Sequence, residues 1–356
     1  MALPTPLYLF RAFSALGFFT QWIKMMLNGS FLAMLRAFLH ASFPSGTPVK
    51  TLWTGFPPLD WFLGLLVVFF GSVNHIDDLP DRGPILMLLD LIFTLSVFNL
   101  MSLVEDRRNR KTGPLRGPAF WQFVWNWGGA ASVLPVYTHL YLTRRSRTSP
   151  LVESKQAQAL PLSAIWIILI SLPAIVPSLM GWSTLQVQNS IAIWFLAPLT
   201  LSLFQDACAS VLPSDLFPSP VTLAYYIIGA TSATVHMTVA YWAYADAQVS
   251  WTRIYWPDDA AVRPGPTHLT EGSMLFMQWD HVLVYLVVSA MALYMLAGDQ
   301  SGGKQRHWLA SMLFFMAMTV VAGPGASLAW LLCRREGEMA AAAAAVKQER
   351  QAVCLK

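Results

Sequence analysis

The stretch Gly272–Ala297, GSMLFMQWDHVLVYLVVSAMALYMLA, decides how the chain is read. It is apolar over a bilayer-spanning length, yet Gln278, Trp279, Asp280 and His281 sit inside it. At about 1.5 Å per residue, Asp280 lies roughly 12 Å from Gly272. That depth falls within a hydrocarbon layer about 30 Å thick. A carboxyl there costs from about 2.5 kcal/mol upward, so it should face protein or a water-filled cavity and is a functional candidate by default. Its plainer role is to tie two helices together.

Working outward, hydrophobic residues make up 55% of the chain and charged residues only 12%. Apolar runs recur along the whole sequence without strand-like alternation, which predicts an all-α, multi-pass membrane bundle. Spans are expected at about 58–76, 84–104, 118–142, 160–180, 188–212, 221–245, 272–297 and 306–332. Residues 1–50 read as an amphipathic interfacial segment, with an additional span as the alternative, because Arg11, Gln21, Lys24, Asn28 and Arg36 interrupt the apolar patches. The bundle then occupies 51–333, and 334–356 form a polar tail. Eight alternating spans put the loops after Arg107 and Arg144 on opposite faces, and the excess of basic residues places the termini in the cytosol. The expected location is the endoplasmic reticulum membrane. The net charge of +4 comes from basic clusters beside spans, so nucleic acid is not an expected partner. Cys208, Cys333 and Cys354 are too widely spaced for a disulfide framework or a metal knuckle.

With these directions, Asp60, Glu105, Asp106, Gln122, Asn126, Tyr241, Asp246 and Asp280 fall in one half of the membrane, together with Trp121, Trp125, Trp127, Trp242 and Trp279. Carboxylates clustered in a low-dielectric pocket cannot all stay ionised. A protonated carboxylic acid is the reagent that protonates an alkene or an epoxide, and aromatic faces stabilise the carbocation that follows. The candidate catalytic pair is Asp280 and Glu105. Gln122 and Asn126 share a helical face and are expected to orient substrate or acid, with Trp125, Trp279, Tyr241, Gln278 and His281 completing the lining. Competing readings are an interfacial aromatic belt for the tryptophans and a solvated helix end for Glu105. Asn74-His75-Ile76-Asp77-Asp78 looks superficially like a diphosphate-binding motif, but no convincing second motif accompanies it. No nucleotide fingerprint or serine elbow is present.

Three features carry a resemblance: FWQFVWNWGGAASVLPVY, the proline-bearing fourth span, and EGSMLFMQWD at the start of the seventh. Over roughly residues 55–335 the chain resembles the non-squalene-type terpene cyclases of fungal meroterpenoid pathways, of the ascochlorin, ascofuranone and macrophorin sort. The resemblance implies acid-initiated cyclisation, starting at a terminal alkene or epoxide and without metal or redox cofactor, of a lipophilic prenylated, typically farnesylated, aromatic or polyketide drawn from the bilayer. A prenyltransferase and an epoxidase are then the expected functional neighbours. Two rivals stay open: an epoxide hydrolase or isomerase using the same acid, and a proton-coupled transporter, whose usual sign would be an internal repeat.

Overall fold

A computed structural model describes residues 6–74, 79–108, 113–144, 151–246, 248–297 and 305–354. His75, Asp77, Asp78, Arg110, Lys111, Arg145 and Arg147 lie outside them. The described residues are helical, with one isolated bridge between Ser42 and Pro48. In chain order the helices are α1 (Pro6–Phe18), α2 (Lys24–Leu27), α3 (Ser30–Leu39), α4 (Pro57–Asn74), α5 (Gly83–Arg108), α6 (Pro118–Gly128), α7 (Ala130–Arg144), α8 (Ser154–Ser171), α9 (Val176–Leu179), α10 (Thr184–Leu196), α11 (Leu199–Val211), α12 (Pro220–Ala245), α13 (Trp251–Tyr255), α14 (His268–Ala297) and α15 (Gln305–Cys354). Five stretches among them are long and apolar enough to cross a membrane, and the α10–α11 pair, bent by 59°, makes a sixth. The bend falls at Pro198, as the missing proline N–H requires. Pro173 ends α8 in a 3₁₀ turn for the same reason.

The expected third span is the main departure. Gly128-Gly129 breaks it, and Gly129 adopts φ 87° and ψ 132°, a conformation open to glycine but strained for other residues. The chain turns back at this point. Tyr137 of α7 packs edge-on against both Trp121 (5.1 Å between ring centroids) and Trp125 (5.7 Å) of α6. Both outer ends of this hairpin meet the C-terminal end of α5. The Gly117 N–H donates to Asp106, while Tyr141 reaches the Arg335 guanidinium that also binds Glu105. Residues 118–142 therefore form a hairpin that enters and leaves at the same end of α5, and the alternation of loop faces expected from eight simple spans does not hold.

The N-terminal segment is also placed differently from a surface helix. α1 runs on into α2 through a π-helical turn, Phe19–Ile23; α1 packs along α7 and α14, and the turn also packs on α14. Phe10 is buried against Val287 and Tyr294, and the Ser14 hydroxyl donates to the Ser132 carbonyl. Gly17 lies so close to the Ala131 backbone that a Cβ would overlap it. At the other end of the chain, α15 continues past residue 334 with Arg335, Glu336 and Met339 still buried, so the bundle extends into the expected polar tail.

Gly129→Ala should test the hairpin apex. The substitution adds a strained φ and drives a Cβ into the Gln21 side chain, so the variant should lose at least about 1–3 kcal/mol. Thermal unfolding in detergent reads this out; an unchanged midpoint would mean the turn is not built as described.

Candidate active site

Beside the hairpin apex lies a cavity of about 1040 Å³, counting its open side. Its walls come from the N-terminal segment (Trp22, Met25, Phe31, Met34), α4 (Leu65, Leu66, Phe69, Phe70) and α5 (Leu88, Leu91, Ile92, Leu95). The hairpin adds Trp125, Asn126, Trp127 and Gly129; Trp194, Phe276, Met277 and Asp280 complete it. Tryptophan and phenylalanine from five separate helical segments thus surround one carboxyl. Asn126 is the other polar side chain in the wall.

Asp280 is held by backbone. Its Oδ1 accepts the Ala131 N–H at 2.6 Å, and the buried Gln21 amide, which accepts from the Ser132 hydroxyl, packs against the Gly129 backbone at the same apex. Ala130 and Ala131 open α7, where N–H groups have no intrahelical partner and the helix dipole is positive. The glycine break at the hairpin apex is what exposes those donors to α14. Gln21 comes from the π-helical turn, and turns of this kind recur at functional sites.

Of the candidate catalytic and lining residues read from the sequence, the structure brings Asp280, Trp125 and Asn126 together at the cavity. The others are elsewhere. Glu105 accepts from Arg335 (2.7 Å) and lies 3.3 Å from Arg108, which in turn pairs with Glu336 at 2.5 Å. This buried network ties α5 to α15 and does not line the cavity. Gln122 is fully buried, with neither amide atom hydrogen-bonded among the described residues. Trp279 faces the N-terminal segment, where the Lys24 ammonium lies 5.2 Å from its ring. Gln278 donates to the Arg253 carbonyl and so anchors the loop before α14.

His281 stacks between Tyr255 (4.8 Å) and Tyr285 (4.7 Å). Nearby, the fully buried Asp90 binds His236 and the Tyr255 hydroxyl, each at 2.8 Å. Tyr241 is 65% exposed on the outer face of α12. Its neighbours on that face, Thr231, Thr234 and Thr238, satisfy their hydroxyls on carbonyls of their own helix, so a stripe that looks polar in sequence can face outward. Asp60 holds the turn before α4 through the N–H groups of Trp53, Thr54 and Gly55.

The loop between α12 and α14 is latched at several points. Arg253 forms a two-pronged pair with Glu271 (2.7 and 2.8 Å) and binds Asp81 at 2.8 Å. Burial alone would lower the pKa of this guanidinium, but Glu271 and Asp81 outweigh it and raise the pKa. Lys24 pairs with Asp259 at 2.5 Å, and His268 contacts the Asn28 carbonyl, which fastens the same loop to the N-terminal segment.

Sequence reasoning missed Gln21, Trp22, Trp127 and Trp194 as parts of the site. Gln21 did carry a signal, being the polar residue in the apolar run FFTQWI. The α7 backbone donors carried none beyond the Gly128-Gly129 pair.

A family model described as the CtvD domain matches residues 5–340, which takes in the N-terminal segment, the hairpin, the cavity and the Glu105–Arg335 network. The chain belongs to the CtvD-domain family. Among its relatives is "Terpene cyclase DEP1" of Alternaria brassicicola, 30% identical, the match covering 92% of this chain and 97% of the relative. The protein of the same name in Fusarium langsethiae is 28% identical over the same shares. "Terpene cyclase alnG" of Emericella nidulans is 24% identical over 89% of this chain and 90% of its own. No solved structure matches.

The Glu105 network yields a stability prediction. Arg335→Met leaves Glu105 buried with one arginine fewer, and breaking a buried pair costs about 3–5 kcal/mol. The variant should fall sharply in detergent thermostability, and unchanged stability with abolished turnover would instead place Glu105 in the chemistry.

Proposed function

We propose that this protein is a membrane-embedded terpene cyclase in which Asp280 protonates the reactive end of a prenylated substrate held in the aromatic cavity. The observation that carries this reading is that Asp280 is the carboxyl lining the cavity among the described residues, with the other wall residues almost wholly apolar. The names of its relatives and the resemblance of the sequence point the same way.

The proton leaves Asp280 for a terminal alkene carbon or for an epoxide oxygen, whose C–O bond opens as the hydroxyl forms. The next alkene supplies the electron pair for each new C–C bond. The cation moves past tryptophan and phenylalanine faces, which attract it by cation–π interaction. The sequence closes when a C–H proton returns to the carboxylate, or when a hydroxyl of the substrate captures the cation and its O–H proton returns to the carboxylate. With Asn126 as the other polar side chain in the wall, little is offered to hold a nucleophilic water, which favours cyclisation over hydrolysis. The substrate class is a lipophilic, farnesylated aromatic or polyketide entering from the bilayer. A prenyltransferase must make it, and an epoxidase acts first if the reaction starts from an epoxide.

Asp280→Asn keeps the shape and acceptor capacity toward Ala131 while removing the transferable proton. Expressed in microsomes with a farnesylated phenol, with and without a terminal epoxide, it should lose about 10²–10⁴-fold in product formation at equal protein level. Near-normal cyclisation by the asparagine variant would remove Asp280 from the acid role.

A further inference from the structure

We propose that the cavity opens sideways to the bilayer beside Trp127, and that Trp127 and Trp22 hold the aromatic head of the substrate at this port while its prenyl chain lies inside; this rests on the cavity being where cyclisation occurs. Trp127 is the described wall residue that is more than half exposed, at 52%, so the open side of the cavity lies at its ring. That ring leans on Phe62 of α4 (5.4 Å between centroids) and on Trp22 of the N-terminal segment (6.1 Å). Trp22 is fixed in turn, because its Nε1–H donates to the Gly128 carbonyl at 2.8 Å. Three helical elements thus meet in a frame of three rings.

Exposed apolar side chains border the frame on both sides. Phe19 and Met26 stand about one turn before and after Trp22, and Phe120 shares the Trp127 face of α6 about two turns earlier. A surface of this kind faces hydrocarbon, so a lipophilic molecule reaches the cavity without crossing water. Asp280 is buried, and the alkene or epoxide that it protonates is at the end of the prenyl chain remote from the aromatic head. With the chain end inward, the head is left outward. The inner wall suits the chain, with Leu88, Leu91, Ile92 and Leu95 of α5. The port instead offers indole faces for a ring to stack on, and the Asn126 amide, next to Trp127, for a hydroxyl or carbonyl. The two tryptophans therefore select among heads and take no part in the proton transfer.

A farnesylated phenol carrying a diazirine on its aromatic ring, photolysed in membranes holding the wild type or Asp280→Asn, maps the head. We expect labels on Trp22 and Trp127 or their immediate chain neighbours in both proteins, suppressed by unmodified farnesylated phenol. Labels on the α5 wall or on Trp194 would put the head at the inner wall and overturn the port alone. Labels that all fall outside the cavity would remove the cavity reading together with it. Head labelling at the port beside a fully active Asp280→Asn would remove the acid assignment and leave the port standing. In turnover, an aromatic pair contributes about 0.5–1.5 kcal/mol beyond its buried area, so Trp127→Ala should raise KM for the farnesylated phenol roughly 2- to 12-fold at constant kcat. Trp127→Phe, which keeps a ring at the port, should stay close to the wild type. An unchanged KM in the alanine variant, or a loss confined to kcat, would overturn the head-binding role. Labelling uses the wild-type chain, so it decides the port even where alanine lowers membrane yield.

Discussion

The hydrogen bond from the Ala131 N–H to Asp280 is the contact on which the arrangement of the site depends. A carboxyl inside an apolar bundle is costly unless donors meet it, and a continuous helix has no free N–H in its interior. The hairpin solves this by starting a new helix in mid-bundle. Gly129 makes the turn, α7 begins with unpaired N–H groups, and α14 places its carboxyl against them. The same turn sets Trp125, Asn126 and Trp127 in the cavity wall beside the carboxyl.

The remaining buried charges are distributed as ties between elements. Glu105, Arg108, Arg335 and Glu336 join α5 to α15; Asp90, His236 and Tyr255 join α5, α12 and α13; Arg253, Asp81 and Glu271 hold the loop before α14. Helices that are apolar on most faces can slide and rotate, and directional polar contacts fix their register. The kink of α15 serves the second tie. Gly323, with φ 86°, breaks the helix just before Pro324. Gly323 leaves the room beside the His236 imidazole that a Cβ would fill. Separating these ties from the cavity leaves Asp280 facing apolar walls without a second carboxyl beside it.

Much of the fold was legible because apolar runs of spanning length report helices directly: α4, α5, α12 and α14 begin and end within a few residues of their expected limits. Pro173 and Pro198 sit at breaks because a missing backbone donor acts locally. The hairpin was not legible in the same way. FWQFVWNWGGAASVLPVY has the length and composition of a span, and whether a Gly-Gly pair is a packing face or a reversal depends on what lies opposite it. Asp280, Trp125 and Asn126 reached one cavity, whereas Glu105 and Tyr241 were grouped with them by counting span directions, an argument the reversal at Gly129 undoes. Arg335 was the missing clue for Glu105, since the partner lies far along the chain in what read as a soluble tail. Gln21 reads in sequence like the other polar interruptions of the N-terminal segment, and only its burial separates it from the half-buried Lys24.

The most direct measurement is the sidedness of the two ends of the hairpin. With Cys208, Cys333 and Cys354 replaced by alanine, single cysteines at Arg116 and Arg144 can be labelled with a membrane-impermeant maleimide in sealed vesicles of known orientation. Both positions should react from the same face of the membrane, because α6 enters and α7 leaves at the same end of α5. Reaction from opposite faces would make residues 118–142 a simple span, and the helix start that holds Asp280 would then have to be abandoned.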